Sequence, residues 1–363
     1  MPRFTLGWLL ASRRNQISPL RTRPSRLISL LLALVIAFAA LLPLPYVIFE
    51  PGDPENVLGS MITVPEEFQS SNESGFKKGG KLFLTTVYVT TPKSKVFGFE
   101  ILKAWIDGDE TVLPRDAVYP KNQPASEIKK QESQEMTGSQ ESAIFNALTY
   151  LGYEVPSRAK IVDVLKQSDA HDRVKEGDLI VEIDGKEVDR VEQIVDAVRQ
   201  KNPGDFVSLV IERKGERISI PKVTLMENSL GAAIGIFLTT TFDFPIDVKI
   251  RIKDTGGPSA GLIFSLGVIE KMTSEDLVRG RKIAGTGTIN TNGEVGAIGG
   301  IESKMIGARR EGATLFLAPF DNCGEIRHIP KGLQVVPVKS LKEAIAALRS
   351  KNPASLVDCQ TSG

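Results

Sequence analysis

An uncharged, strongly apolar run from Leu27 to Phe49 constrains this chain more than any other feature. As a helix it is long enough to span ~30 Å of hydrocarbon. Six arginines precede it (Arg3, Arg13, Arg14, Arg21, Arg23, Arg26), and no acid appears before Glu50. Under the positive-inside rule the arginines stay on the cytoplasmic side and everything after Phe49 lies on the far side. The run therefore predicts a basic cytoplasmic head over 1–26 and one transmembrane helix over 27–49 of the cell membrane. Pro43 and Pro45 mark the helix exit, since proline cannot continue the hydrogen-bond ladder. A cleaved signal peptide is the rival reading, because Ala37-Phe38-Ala39 has a small-x-small cleavage pattern, although the apolar run continues through Leu41-Leu42.

With 363 residues the chain has room for two or three domains, each with its own core. Lysines and arginines number 45 against 44 acids, so with the six head arginines set aside the body is mildly acidic. Such a body argues against nucleic acid as a partner, because phosphate binding needs a basic face. The two histidines, His171 and His328, fit no H-E-x-x-H pattern, so no metal site is expected. Nor does any motif point to a cofactor. Two cysteines, Cys323 and Cys359, make no disulfide framework, and the expectation is one buried thiol and one in a loose tail.

Residues 50–137 read as a β-rich segment and linker, with a strand over Lys81 to Thr90 and Pro-Gly turn chemistry at 51–52. The polar stretch 121–140 is a linker or a solvated helix start. From Ser139 the pattern turns helical, with Ala143, Ile144, Ala147, Leu148 and Leu151 on one face. A strand (Ala159 to Leu165) then leads to Val174-Lys175-Glu176-Gly177-Asp178, a strand (Leu179 to Ile183) and an Asp184-Gly185 turn. An amphipathic helix with Val191, Ile194, Val195 and Val198 on one side follows, then strands over Val207 to Arg213 and Arg217 to Val223.

This stretch, within residues 138–226, resembles a PDZ domain of the bacterial protease-associated type. The resemblance implies a β-barrel-like fold with helices that binds extended peptides, commonly C-termini, by strand addition beside the Val191–Val198 helix. Leu151-Gly152-Tyr153 is the candidate for the apolar-Gly-apolar loop that holds a ligand's carboxylate. Gly152 can equally be the left-handed cap of the helix that ends at Leu151.

The segment with most chemical content is Lys253-Asp254-Thr255-Gly256-Gly257-Pro258-Ser259-Ala260-Gly261, expected to follow a strand (Ile246 to Ile252). It opens a helix with Leu262, Ile263, Leu266 and Ile269 facing inward. Pro258 suits a first helical turn, which places Ser259 where free backbone N–H groups and the positive end of the dipole point outward. That is where acyl transfer needs both a hydroxyl and an oxyanion hole.

Two patterns cover it and choose different bases. Gly257-Pro258-Ser259-Ala260-Gly261 satisfies the G-x-S-x-G elbow of α/β-hydrolases, with Asp321 and His328 following in order. Only about a hundred residues follow Ser259, too few for the remaining strand–helix units of that fold, and no HGGG-type loop precedes it. The longer pattern is Gly257 to Gly261, Ala284-Gly285-Thr286-Gly287-Thr288-Ile289, Gly293 to Lys304 (GEVGAIGGIESK) and Ala308 to Ala313 (ARREGA). Over residues 231–350 it resembles the proteolytic domain of Lon proteases, which uses a Ser–Lys dyad. Carried over by position, Ser259 falls on the nucleophile, Lys304 on the general base and Thr286 on the threonine that orients the lysine. The helper acid of that family stands three residues before the serine; Gly256 occupies that place here, and Asp254 lies two further back.

No G-x-x-x-x-G-K-[ST] occurs in the sequence, so no ATPase is expected. Anchor, PDZ and Lon-like domains in this order resemble a bacterial family of membrane-anchored PDZ-containing Lon-like serine peptidases. The expected fold is α+β: one transmembrane helix, the β-rich segment, the PDZ domain, the Lon-type domain and a flexible tail over 351–363. The resemblance implies an ATP-independent endopeptidase acting on extracytoplasmic or membrane-adjacent proteins, with assembly into a homo-oligomer by analogy. The alternative is a non-catalytic PDZ scaffold on an inactive peptidase fold.

Overall fold

The computed structural model describes residues 26–70, 79–119, 124–253, 255–350 and 358–359. Along the chain, α1 (Arg26–Ala40) is followed by β1 (Pro43–Leu44), β2 (Tyr46–Pro51), β3 (Glu55–Asn56) and β4 (Ile62–Thr63). Then come β5 (Lys81–Leu84), β6 (Val87–Val89), β7 (Val96–Phe97), α2 (Gly98–Asp107), β8 (Thr111–Pro114), α3 (Arg115–Val118) and α4 (Ala125–Tyr150). The next stretch holds β9 (Ser157–Val164), β10 (Leu179–Ile183), β11 (Lys186–Glu187), α5 (Val191–Arg199), β12 (Phe206–Arg213) and β13 (Glu216–Thr224). A hairpin of β14 (Met226–Asn228) and β15 (Gly231–Ala233) leads to β16 (Ile236–Phe242) and β17 (Lys249–Ile250). The chain continues with α6 (Gly261–Met272), β18 (Lys282–Gly285), β19 (Thr288–Ile289) and β20 (Val295–Gly296). It ends with α7 (Ile301–Arg310), β21 (Leu315–Pro319), β22 (Gln334–Val338) and α8 (Leu341–Arg349).

The helix expected over 27–49 stops at Ala40. Pro43 and Pro45 break the ladder, and the apolar residues beyond them enter the protein: Val47, Ile48 and Phe49 are buried in β2, the middle strand of the sheet β6-β2-β8. Among the described residues no helix is long and apolar enough to cross a membrane. The side chains of α1 from Leu27 to Phe38 are exposed on every side.

One unit is built on the five-stranded sheet β22-β21-β18-β5-β3, parallel except for β3. The expected long strand over Lys81 to Thr90 is two strands. The first, β5, lies beside β18 about 200 residues later in the chain and completes this sheet. Against the sheet lies α6, apolar all round and buried from Gly261 to Glu270, flanked by α4 and α8. The helix expected from Ser139 starts at Ala125, so part of the polar stretch 121–140 is helical. Its inner face (Ala143, Ile144, Ala147, Leu148) joins this core rather than the next one. Only Lys249–Ile250 of the strand expected over Ile246 to Ile252 is extended pairing.

The second unit is the sheet β13-β12-β10-β9-β16 with α5 over it, around Ile161, Ile180, Ile194, Leu209 and Ile211. Here the sequence reading holds nearly residue for residue, because the strands alternate and each is closed by turn chemistry. Asp178 of the Gly-Asp pair is buried and takes two bonds from Arg213, at 2.8 and 2.7 Å, which ties the β9–β10 turn to β12.

Cys323 and Cys359 are joined in a disulfide, with a Cα–Cα distance of 5.1 Å. This corrects the expectation of two separate thiols and of a tail loose along its length: Cys359 is buried among Phe316, Leu333 and Val335. The rest of 351–363 apart from Asp358 lies outside the described residues.

Candidate active site

Ser259, Thr286 and Lys304 come from three different elements and meet at one point. Ser259 lies in the turn before α6, two residues earlier than a first-turn position: Ala260 is the N-cap and Gly261 the first helical residue. Gly257 supports the turn with φ of 82°, a left-handed conformation that glycine adopts freely. The turn is clamped from α4, where the Ser139 hydroxyl donates to the Pro258 carbonyl at 2.9 Å and the Glu132 carbonyl accepts from Gly257 N–H at 3.0 Å. Asp254 lies outside the described residues.

Thr286 follows the C-terminal end of β18 and is fully buried. Its N–H donates to the Leu317 carbonyl at 3.1 Å, and its hydroxyl donates to the Ser259 carbonyl at 3.0 Å. Gly287 N–H bonds that same Ser259 carbonyl at 2.9 Å, so the Ser259 backbone is fixed from two directions.

Lys304 is on the first turn of α7, which starts from Gly300 in the left-handed conformation. A Cβ at Gly300 would approach Phe49 and Val87 to 3.1 and 3.2 Å, and one at Gly307 would reach 2.7 Å from the Gly52 carbonyl. These glycines let α7 press onto β2, and Ser303 Oγ adds a bond to the Phe49 carbonyl at 3.2 Å. Lys304 is thereby only 3% exposed. Its Nζ stands 2.8 Å from Ser259 Oγ and 3.1 Å from Thr286 Oγ1. Burial pushes the Lys304 pKa down to about 7, since a low-dielectric site disfavours the ammonium.

The hydroxyl of Thr286 is committed as donor to Ser259, so toward Lys304 it can only accept. A neutral amine has two N–H groups and one lone pair. Spending one N–H on Thr286 turns the lone pair toward the Ser259 hydroxyl. Ser259 and Lys304 open onto a cleft of about 760 Å³, walled by Thr85, Tyr88, Glu132 and Lys253 among others.

His328 does not approach this cleft. It is exposed and lines a separate cavity with Glu302, Arg309 and Arg310 on the far side of α7. Asp321 lines a third hollow beside Lys339. The hydrolase arrangement is absent.

Leu151-Gly152-Tyr153 also does not line the groove beside α5. Leu151 caps α4, Gly152 has φ of 89°, and Tyr153 N–H returns to the Leu148 carbonyl at 3.0 Å. Leu151 and Tyr153 pack on the α6 core, Tyr153 meeting the Phe68 ring edge-on at 6.3 Å. The cap reading of Gly152 is the correct one. The groove beside α5 is formed instead by β16, an edge strand, and the β14–β15 hairpin. It encloses about 290 Å³ between Ile194, Val195, Val198, Met226, Ile234 and Phe237. At its end stands a second apolar-Gly-apolar triplet, Ile234-Gly235-Ile236, with Gly235 at φ of 81° and no room for a Cβ against Ser168 and Met226. The signal was in the sequence: this triplet directly precedes an alternating strand, and Leu151-Gly152-Tyr153 does not.

Residues 225–350 match the family of the Lon protease (S16) C-terminal proteolytic domain, and residues 132–221 match the PDZ domain family. Among curated proteins, Lon protease 2 of Herpetosiphon aurantiacus is 34% identical over 116 residues, which is 30% of this chain and 14% of that protein. Lon protease of Buchnera aphidicola subsp. Baizongia pistaciae is 37% identical over 107 residues, 28% of this chain and 14% of that protein. A solved PDZ domain of the SdrC-like protein of Listeria monocytogenes is 26% identical, covering 22% of this chain and 86% of that one with a TM-score of 0.21. The chain thus spans only about a seventh of the length of the curated relatives it matches, and it carries a Lon-type proteolytic domain together with a PDZ domain.

Proposed function

We propose that the chain is a serine endopeptidase in which Ser259 is the nucleophile, Lys304 the general base and Thr286 the residue that orients the amine. One observation carries this reading. A lysine buried to 3% exposure, with its pKa pushed down to about 7, stands 2.8 Å from a serine hydroxyl at the mouth of a cleft. Near neutral pH a useful fraction of that amine is free to take the serine proton.

In the first half-reaction Ser259 Oγ adds to the scissile carbonyl and its proton passes to Lys304 Nζ. The ammonium then protonates the leaving amine as the peptide C–N bond breaks, leaving an ester on Ser259. In the second half-reaction water loses a proton to Lys304, attacks the ester and releases the acid as Oγ regains its proton. The first turn of α6, immediately after Ser259, lends its positive end to the oxyanion. An extended substrate lies beside β6, an edge strand lining the cleft, and longer substrates are held by the groove between α5 and β16.

Cleavage runs without nucleotide, as no phosphate-binding loop occurs in the sequence. The arginine-rich head and the uniformly apolar, unpacked surface of α1 support membrane attachment through α1, with the domains outside the cytoplasm. The Cys323–Cys359 disulfide supports the same side, because such bonds persist in oxidising compartments. A non-catalytic scaffold offers no reason to bury an unpaired lysine beside a serine.

The test is digestion of an unstructured protein by the full chain in detergent, with and without ATP and magnesium, alongside the Ser259→Ala protein and a serine-directed fluorophosphonate. Equal cutting in both conditions, labelling of Ser259 and silence of Ser259→Ala are expected. Activity that survives Ser259→Ala would sink the assignment, and strict dependence on nucleotide would sink its ATP-independent part.

A further inference from the structure

Helix α2 carries apolar side chains on two faces, and only one of them is used inside the protein. Ile101 is buried against Ile48 and Val96, with Leu44 and Val112 alongside, and Ala104 is fully buried too. On the neighbouring face Phe99, Leu102, Trp105 and Ile106 are 49%, 54%, 71% and 75% exposed. At 3.6 residues per turn these four cover a continuous arc of about 120° on the outside of the helix. The helix itself is firmly built: the Glu100 carboxylate accepts the Phe97 N–H at 2.7 Å, and Gly108 ends it in the left-handed conformation.

The position of this face says what covers it. Gly98 N–H donates to the Leu42 carbonyl at 3.2 Å, and β1 pairs with β7 through Pro43↔Phe97 and Leu44↔Val96. A Cβ at Gly98 would fall 2.5 Å from the Ala39 carbonyl, so α2 begins against the last turn of α1. The uncovered arc of α2 therefore adjoins the all-round apolar surface of α1. Aromatic side chains on that arc, and exposed Lys93 and Lys95 in the turn that feeds it, are the composition of a bilayer interface. A second copy of the chain fits less well. Four side chains present roughly 500 Å², against the about 800 Å² per partner of a stable protein interface.

We propose that α2 is an interfacial helix that lies on the lipid surface where α1 emerges, pinning the catalytic unit to the bilayer at two points. The inference rests on the reading of α1 as a membrane segment. Its consequence concerns substrates: Thr91 and Pro92, at the head of the turn leading into α2, also line the catalytic cleft. The cleft thus opens a few residues from the lipid contact and favours extended segments close to the membrane.

Trp8 and Trp105 are the chain's two tryptophans, so a full-length Trp8→Phe protein reports Trp105 alone. It is reconstituted in vesicles of phosphatidylcholine and phosphatidylglycerol, floated on a density gradient, and titrated with acrylamide or prepared with brominated-acyl phosphatidylcholine. Expected are co-flotation, several-fold stronger quenching by the brominated lipid than by acrylamide, and a blue-shifted emission. Co-flotation with Trp105 open to acrylamide and untouched by brominated lipid would leave α1 as anchor and overturn the α2 contact. Shielding from both quenchers would overturn it too, by showing that protein covers the face. Failure to float would remove the α1 reading and this inference together.

Discussion

Replacing Lys304 with methionine separates what the residue does for catalysis from what it does to stability. The side chain is 3% exposed and its pKa is lowered from 10.5 to about 7 by burial. In the unfolded chain the amine keeps its ordinary pKa, so between pH 7 and 10.5 the unfolded state binds more protons and stability rises with pH. Integrated, the buried lysine costs about 5 kcal/mol below pH 6, about 4 at pH 7 and about 2 at pH 9. Lys304→Met removes this penalty and keeps an unbranched side chain of similar length. It should therefore stabilise the protein by up to about 4 kcal/mol at pH 7, with the gain falling by about 2 kcal/mol by pH 9. The same change should abolish most turnover, by about 10² to 10⁴, as expected for loss of a general base. In the wild type kcat/KM should rise through pH 7, with about a tenth of the full rate at pH 6 and about nine tenths at pH 8. Urea unfolding of the Ser259→Ala and Ser259→Ala/Lys304→Met proteins at both pH values avoids self-digestion and measures the gap. A gap that does not change with pH, or a methionine variant that is less stable at pH 7, would refute a buried amine titrating near neutrality. Retention of activity in Lys304→Met would refute its role as base.

Glu270 is fully buried on α6, and burial pushes its pKa up to about 7, against a bond from Leu277 N–H that favours the anion. Below about pH 4.5 both states are protonated; between about pH 4.5 and 7 the unfolded carboxyl ionises while the buried one stays protonated, so stability falls over that window and levels off above it. Glu270→Gln should thus stabilise by about 3 kcal/mol at pH 8 and by little at pH 4, read as the shift in urea midpoint. Reduction of Cys323–Cys359, or Cys359→Ser, opens a loop with a sequence separation of 36 and should cost about 4 kcal/mol. No change in melting temperature under strong reductant would show that the bond does not form.

The parts of the fold legible in the sequence are those whose signal is local. Strands β9, β10, β12 and β13 and helix α5 alternate or repeat cleanly and stop at Gly or Asp-Gly turns. That Ser259, Thr286 and Lys304 meet was legible because several short motifs occur in order around them. That the apolar residues beyond Pro45 enter the protein core was not, since Val47, Ile48 and Phe49 read the same whether lipid or a protein core covers them. Nor was the partnership of β5 with β18, which depends on a pairing about 200 residues apart. Cysteine count alone could not reveal that Cys323 and Cys359 meet. Apolar-Gly-apolar occurs at Leu151-Gly152-Tyr153 and again at Ile234-Gly235-Ile236, and only the second abuts an edge strand and the groove beside α5, which the triplet alone does not reveal.

The physical extent of the catalytic unit differs from the stretch that matches the Lon proteolytic domain, residues 225–350. Ser259 and Lys304 are both held by residues outside that stretch. The turn that carries Ser259 is fixed by Ser139 and Glu132 of α4, which ends at Tyr150 and leads through a short connection into β9 of the PDZ unit. Lys304 is held by Phe49 of β2 and by Gly52 just after it, through the bond to Ser303 and the close approach at Gly307. Thr286, between them, directly follows β18, whose one flank is β5. A 2.8 Å spacing between Ser259 and Lys304 thus depends on three separately anchored pieces, two of which belong to segments on either side of α2. The segment that emerges from α1 and runs along the proposed lipid contact is the one that braces the lysine, so attachment and catalytic geometry share a single stretch of chain.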